Sequence, residues 1–263
     1  MKNGDYGEYN KELYDQRWID RAAIYSDMPG IRFQFLLIKK CVKAIKDQTK
    51  VNSVLDIGCG EGTKTAFLKK LLPNANVLGI DFSREGIAHA TTMYANFSDS
   101  GMRFRCINAK EESAWEKSDL VTSFEVLEHL EDWQNVLSQM CSSSNKYIMI
   151  AVPAGKMYPF ESEYDGHVRC FKRGVLEAFL RGKGFKPVEV YYAGFPFLNP
   201  LAVGILHRVR SVRTAYDGAK IKSVKRMPLR RFMSVLYNIM FFLFYCSSRR
   251  HLGRQFTGLF ERE

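Results

Sequence analysis

The 263-residue sequence lacks a membrane-spanning run, a disulfide pattern and a secretory start. Its longest apolar stretch, residues 232–246, has fifteen residues, whereas a helix that spans a bilayer needs ~20. The cysteines are scattered, without a Cys-x-x-Cys pair, at positions 41, 59, 106, 141, 170 and 246. We therefore expect reduced thiols and no zinc or disulfide framework. Because the first residues, Met-Lys-Asn-Gly-Asp-Tyr, contain no apolar region, we expect a cytoplasmic protein.

Acidic residues are almost missing from one segment, and that segment carries the charge of the whole chain. Residues 207–254 contain twelve Lys or Arg and one acid, Asp217, which gives +11. Residues 1–206 contain 26 basic and 25 acidic residues, or +1, and the last nine residues carry −1. A concentrated block of one sign is informative about binding partners and not about fold. The block therefore favours an anionic partner for residues 207–254.

A strand, a glycine loop and a helix follow one another after residue 50. Residues 51–57 are apolar and rich in β-branched side chains, which predicts a buried strand. Glycines occupy positions 58, 60 and 62, and residues 63–72 have the apolar spacing of a helix. Glycines let a backbone approach a ligand closely, and a helix N-terminus presents unpaired N–H groups. This unit predicts a site for the polar end of a nucleotide-like ligand.

Acidic residues mark the ends of the first two predicted strands. Asp56 lies at the end of the first, and Asp81 directly follows a second strand predicted over residues 76–80. Asp81 comes 21 residues after Gly60, close to the separation at which an acidic residue meets ribose hydroxyls in dinucleotide-binding folds. An ordinary α/β turn with two strand-end aspartates is the alternative interpretation.

Three stretches resemble the class I S-adenosylmethionine-dependent methyltransferases. They are residues 56–62 (Asp-Ile-Gly-Cys-Gly-Glu-Gly), 79–83 (Gly-Ile-Asp-Phe-Ser) and 124–130 (Phe-Glu-Val-Leu-Glu-His-Leu). Position 63 is threonine, so the last glycine of the dehydrogenase Gly-x-Gly-x-x-Gly pattern is missing and a nicotinamide cofactor is disfavoured. The resemblance covers residues 51 to about 190 and implies S-adenosylmethionine as the cofactor. It also implies an α/β fold with a Rossmann-like, doubly wound sheet of seven mostly parallel strands.

The chain divides into four expected parts. Residues 1–50 form an N-terminal arm and a helix (31–45), and residues 51–192 form the cofactor-binding core. Residues 193–252 form a basic and apolar helical insertion, and residues 253–263 form a final edge strand. Further strands are predicted over 102–107, 119–124, 147–152, 185–192 and 255–260, and further helices over 84–95, 125–130, 133–140 and 172–181. The predicted loop over residues 153–170 is long enough to be functional.

The resemblance implies which residues hold the cofactor. Asp81 meets the ribose, and Asn108 and the backbone of Ala109 lie where the family contacts adenine, although the family often has aspartate at the position of Asn108. Phe82 lies on the adenine face or, alternatively, in the core. The full implied set is Asp56, Gly58, Cys59, Gly60, Asp81, Phe82, Asn108, Ala109 and Phe124.

Acidic and histidine side chains follow the fourth predicted strand and recur in the long loop. On a helix, Glu125, Glu128 and His129 are spaced i, i+3 and i+4 and share one face. With His167 from the loop they form a candidate divalent-cation site. The pattern is similar to ubiquinone-pathway O-methyltransferases and to RNA ribose methyltransferases, which implies a metal that lowers the pKa of the acceptor hydroxyl. Metal-free relatives carry much the same Glu-His-Leu stretch, so His129 and His167 are alternatively general bases, or His167 is a plain loop histidine.

Three functions remain open. The first is O-methylation of a hydroxyl on a small molecule, sugar or lipid-linked intermediate, and His167 is then the first candidate base. The second is 2′-O-methylation of RNA, which the basic block favours. RNA recognition, however, usually adds aromatic side chains that stack on bases, and Tyr216 is the only Phe, Trp or Tyr among residues 207–231. The third is a non-catalytic cofactor-binding protein that docks a partner.

The apolar stretch 232–246 lies between Arg230-Arg231 and Arg249-Arg250. Apolar residues flanked by cations suit a helix that lies in an anionic membrane interface. A helix buried in the core or in a homodimer contact is the alternative.

Overall fold

The computed structural model describes residues 29–108, 115–158, 161–162, 165–198, 227–248 and 251–263. Residues 1–28, which contain nearly all of the expected N-terminal arm, lie outside the described residues. Residues 199–226 of the insertion, which include most of its basic part, also lie outside them. The predicted adenine contact at Ala109 also lies outside them.

Seven strands form the sheet of the described chain. They are β1 (Ser53–Ile57), β2 (Asn76–Asp81), β3 (Met102–Cys106), β4 (Ser118–Phe124), β5 (Ser144–Pro153), β6 (Phe185–Ala193) and β7 (Gln255–Arg262), in the spatial order β3-β2-β1-β4-β5-β7-β6. Strands β1 to β5 pair in parallel, whereas β7 runs antiparallel to both β5 and β6. The strand order reverses between β1 and β4, which creates a crevice at the carboxyl ends of these strands. The predicted Rossmann-like, doubly wound fold is confirmed.

Helices cover both faces of this sheet. They are α1 (Pro29–Lys43), α2 (Thr63–Leu71), α3 (Arg84–Met93), α4 (Trp133–Ser143), α5 (Val175–Gly182) and α6 (Met227–Ser247). Successive strand side chains point to opposite faces, so Ile148 and Ile150 of β5 join one core while Tyr147 and Met149 join another. The first core includes side chains of α4 and α5, and the second includes side chains of α1 and α2. Burial on both faces explains the nearly continuous apolar runs of the central strands.

The helix predicted over Glu125–Leu130 is wrong. Glu125 has a φ of 62°, in the left-handed region that bulky residues rarely adopt. The next residues form a short 3₁₀ turn, Leu127–His129, and Leu130 is already extended. The Glu125 amide donates instead to the Ala151 carbonyl of β5 at 2.8 Å. This pairing with β5 directs the chain away from a helical start, so Glu125 does not share a helix face with Glu128 and His129.

Helix α6 contains the apolar stretch of the predicted insertion and packs on α1. Phe244 is buried, and its ring meets the Phe33 ring of α1 edge-on with 6.2 Å between centroids. Just after the helix, the Ser248 hydroxyl accepts a hydrogen bond from the Lys40 ammonium at 2.9 Å. Across the part of the chain that the structure describes, no helix has the length and apolar character needed to cross a membrane.

Candidate active site

The glycine loop joins β1 to α2 and fits tightly against the neighbouring strand ends. Gly58, Gly60 and Gly62 have φ values of 72°, 55° and 80°, which glycine adopts without the strain of a side chain. The Gly58 amide donates to the Ile80 carbonyl of β2 at 2.8 Å. A Cβ on Gly58 would come within 2.3 Å of Val126 Cγ2. The loop therefore adjoins the residues that follow β4, at the strand-order reversal.

Asp81 ties the glycine loop to the end of β2. One carboxylate oxygen accepts the Gly60 amide and the other accepts the Ser83 amide, each at 2.8 Å. Ser83 then caps α3, because its hydroxyl accepts the Gly86 amide at 2.9 Å. Each carboxylate oxygen has a second lone pair, so Asp81 can hold the loop and still accept ribose hydroxyls. Its predicted contact with the ribose stays a prediction.

Asp56, at the end of β1, connects the glycine loop to the neighbouring elements. Its carboxylate oxygens accept hydrogen bonds from the Thr65 hydroxyl of α2 at 2.6 Å and the Thr122 hydroxyl of β4 at 2.7 Å. Burial raises the pKa of Asp56 to about 6, although both hydroxyls act to lower it. The side chain therefore links three elements around the loop, and its predicted direct contact with the cofactor stays a prediction.

The other implied cofactor residues occupy different environments. Phe82 is 37% exposed directly after β2, so its ring is available to a ligand. Asn108 follows β3 and is half-buried. Phe124 is 4% exposed, and its ring lies in the core that α1 and α2 cover, so its predicted cofactor contact stays a prediction. Burial raises the pKa of the Cys59 thiol well above its ordinary value, which makes the thiol an inert packing group.

Two side chains that no sequence pattern predicted, those of Gln255 and Lys64, act on Glu125. Gln255, the first residue of β7, donates to Glu125 Oε1 through its amide nitrogen at 2.9 Å. Burial raises the pKa of Glu125, and the charge of Lys64 in the first turn of α2 lowers it. The same cation acts to lower the pKa values of the buried Glu61 and Glu128. Lys64 is thus a buried positive charge among acidic groups of the site.

Glu128 is a fully buried carboxylate. Its side chain is 0% exposed, and neither carboxylate oxygen accepts a hydrogen bond from another described residue. Burial, followed by the charge of Glu125, raises the pKa of Glu128 well above its ordinary value. A buried polar group without a partner reduces stability. The arrangement therefore indicates that this carboxyl group serves a ligand or a reaction.

His129 and His167 come together beside Glu128. Their ring centroids are 4.8 Å apart, with an interplanar angle of 75°. His129 Nδ1 lies 3.0 Å from the Gly166 carbonyl oxygen, and because a carbonyl can only accept, Nδ1 carries the proton. In the neutral ring Nε2 then has the lone pair that can take a proton or bind a metal. The structure thus unites two histidines that lie 38 residues apart in the sequence.

A salt bridge that no sequence pattern predicted holds the loop with His167 against the residue before β7. Arg254 Nη2 lies 2.9 and 3.1 Å from the two carboxylate oxygens of Glu161. The Arg254 guanidinium also stacks over the Tyr158 ring at 4.3 Å. The Glu161 carbonyl in turn accepts the His167 amide at 2.9 Å. Because Glu161 and Arg254 are separated by 93 residues, no local pattern in the sequence predicts the pair.

A divalent cation fits part of the predicted ligand set. One ligand atom from each of Glu128, His129 and His167 lies within 4.8 Å of the others. The Glu128 carboxylate accepts no hydrogen bond from another described residue, so its oxygens suit coordination of a cation. Glu125 does not belong to this group, because Gln255 occupies one oxygen and the left-handed turn separates it from the 3₁₀ turn. A second group of Glu161, His167 and Cys170 is equally compact, but Arg254 already neutralises Glu161.

The fold and the site define an α/β protein with a nucleotide-type crevice between β1 and β4 and a carboxylate–histidine cluster on its β4 side. Comparison with known proteins gives the same class. The sequence model of a family described as "Methyltransferase domain" matches residues 30–190, which is more than half of the chain. The chain belongs to this methyltransferase family. The resemblance to class I S-adenosylmethionine-dependent methyltransferases is thereby confirmed.

Individual relatives are similar over part of their length. A ubiquinone biosynthesis O-methyltransferase of Bradyrhizobium diazoefficiens is 39% identical over 79 residues, 30% of each chain. A second, of Nitrobacter winogradskyi, is 30% identical over 125 residues, 44% of this chain and 47% of the relative. The chain thus spans less than half the length of these curated relatives.

One solved structure illustrates the shared fold. The S-adenosylmethionine-bound magnesium protoporphyrin IX methyltransferase of Synechocystis covers 74% of this chain and 91% of its own, with a TM-score of 0.55 and 17% identity. At that identity the likeness supports the fold alone.

Proposed function

We propose that this methyltransferase moves the methyl group of S-adenosylmethionine to a hydroxyl oxygen of a small-molecule or glycan acceptor. The observation that carries the proposal is the cluster of Glu128, His129 and His167 on the β4 side of the glycine-loop crevice. A cofactor held by the loop and by Asp81 would present its methyl group toward that cluster. The names of the O-methyltransferase relatives support an oxygen acceptor.

The reaction is a direct displacement, and the protein contributes position and proton transfer. A bond forms between the acceptor oxygen and the methyl carbon while the carbon–sulfur bond breaks. The positive sulfonium becomes a neutral thioether, and the hydroxyl proton passes to an imidazole nitrogen. His129 Nε2 suits this step because the Gly166 carbonyl holds Nδ1 protonated. His167, at 4.8 Å between ring centroids, is the alternative base.

Glu128, His129 and His167 would also hold a divalent cation. When bound, the ion would lower the pKa of an acceptor hydroxyl. A histidine nitrogen that binds the ion has no lone pair left for a proton, so His129 and His167 act as bases only when no cation is bound. The buried Lys64 adds a positive charge on the glycine-loop side.

The test is transfer of a labelled methyl group from S-adenosylmethionine to separate pools of small hydroxylated molecules, glycans and RNA. Label in the first or second pool supports the proposal, whereas label in RNA alone overturns the acceptor class. Cofactor binding without label in any pool supports the non-catalytic alternative. His129→Asn and His167→Asn should each lower labelling, while His89→Asn on α3 serves as a matched control outside the cluster.

A further inference from the structure

Helix α6 has apolar residues on both of its sides. One side packs on α1 through Phe244 and Met240. The other exposes Val235 (59%), Ile239 (54%) and Phe242 (64%). Exposed Cys246 continues this row, whose spacing of i, i+4, i+7 and i+11 defines a single helix face. The α6 face, as we call these four residues, therefore runs for about 16 Å along the helix.

The α6 face differs from the exposed side of an ordinary surface helix. Such a helix places polar residues toward water, and a helix that is apolar all round is normally covered. Asn238, the exposed polar residue directly before Ile239, is bound to α1, because its Oδ1 accepts a hydrogen bond from Arg32 at 2.8 Å. α1 thus fixes the helix in place and turns the four residues outward.

The positive charge of the surrounding sequence indicates which kind of partner binds the α6 face. Residues 207–254, which contain α6, carry +11, whereas the remainder of the chain is balanced. A second copy docked on the same face through a two-fold axis would bring two such segments together and be repelled. An anionic lipid surface attracts cations while its acyl region accepts apolar side chains. Cations at both ends of the apolar stretch, Arg230-Arg231 and Arg249-Arg250, suit a helix that lies parallel to such a surface.

We propose that the α6 face docks this protein on an anionic lipid bilayer, with the helix lying in the interface. The apolar residues enter the acyl boundary, and cations of the basic segment meet the headgroups. The proposal goes beyond methyl transfer and requires no acceptor, so its test is independent of the proposed function. Docking would hold the protein at a membrane surface, where an acceptor of limited solubility would also be found.

The first test measures co-sedimentation of the full chain with vesicles. Phosphatidylcholine vesicles containing phosphatidylserine should bind the protein at low salt, and high salt should release it. The double variant Ile239→Gln/Phe242→Gln should bind about tenfold more weakly, or 1.4 kcal/mol. Met93→Gln, which alters an exposed apolar residue of α3, should bind like the wild type. Unchanged S-adenosylmethionine affinity verifies that each variant is folded.

Two further measurements test separately whether the arginines contribute to binding and whether the α6 face enters the bilayer. Replacing Arg230, Arg231, Arg249 and Arg250 with Gln should weaken binding at low salt about a hundredfold or more. An environment-sensitive fluorophore on Cys246, in a Cys106→Ser background, should shift to the blue when anionic vesicles are added. The same fluorophore on Cys106 in a Cys246→Ser background should not shift.

Several outcomes would overturn the proposal. The wild type could stay in the supernatant at every salt concentration, or bind vesicles without phosphatidylserine equally well. The α6-face double variant could bind as tightly as the wild type. Sedimentation could instead reveal a dimer that this double variant dissociates, which would assign the face to a second copy of the chain.

Discussion

Replacing Glu128 with methionine should stabilise the protein and abolish its activity. Glu128 is fully buried, and its carboxylate oxygens accept no hydrogen bond from the other described residues. Methionine has a similar volume and no polar atom that needs a partner. Glu128 therefore lowers the stability of the folded protein and serves the site, as functional residues often do.

The expected gain follows from the missing partners. An unsatisfied buried polar group costs about 1–3 kcal/mol, so Glu128→Met should raise the free energy of unfolding by about that amount. The sign of the pH dependence follows from the raised pKa of Glu128. The folded state binds the proton more tightly than the unfolded state, so the wild type loses stability as pH rises through the folded-state pKa. The gain from Glu128→Met should therefore grow with rising pH.

Glu161→Met provides the matched control. Glu161 is also buried, but its carboxylate pairs with Arg254. The same replacement therefore removes the carboxylate partner of a half-buried guanidinium and should lower the free energy of unfolding by about 1–3 kcal/mol. Urea unfolding at several pH values, in metal-free buffer, measures both variants, and labelled methyl transfer measures activity. If Glu128→Met destabilises the protein as much as Glu161→Met does, or keeps full activity, the assignment of Glu128 as a functional carboxyl group is refuted.

Three other changes have expected outcomes. Asp81→Ala should weaken S-adenosylmethionine binding in calorimetry by at least tenfold, since each charge-assisted hydrogen bond contributes about 1.5–3 kcal/mol; an unchanged affinity would remove Asp81 from the site. Exhaustive chelation should abolish turnover and leave cofactor affinity intact if Glu128, His129 and His167 hold a metal, whereas surviving activity would make the histidines simple bases. Asp56→Asn should flatten the pH dependence of unfolding: the wild type loses up to about 3 kcal/mol between pH 3.8 and about 6, because the folded pKa of Asp56 is raised, and equal slopes in both proteins would refute that role.

The sheet could be predicted from sequence because its information is local. The β-branched runs, the glycines after β1 and the strand-end Asp81 each occupy a short stretch, and the structure places β1 and β2 where the patterns predicted them. The observed ends of helices differ from the predicted ones where the backbone conformation of a single residue sets the end. The helix predicted from residue 172 begins at Val175, because Gly174 just before it has a φ of 82°.

The cluster beside the crevice could not be derived in the same way. Spacing placed Glu125 on a helix with Glu128, but the partner that fixes Glu125 is Gln255, 130 residues away. The salt bridge between Glu161 and Arg254 likewise joins the long loop to the last strand. Such contacts depend on strand order, because β7 inserts between β5 and β6 and brings the end of the chain to the site.

The most direct measurement is a crystal structure of the full chain with S-adenosylhomocysteine. The ribose hydroxyls should lie within hydrogen-bond distance of the Asp81 carboxylate, with the adenine ring on Phe82. The sulfur atom should face His129 and His167 across the crevice. A nucleoside bound away from the glycine loop, or a sulfur atom directed away from both histidines, would contradict the proposed route of methyl transfer.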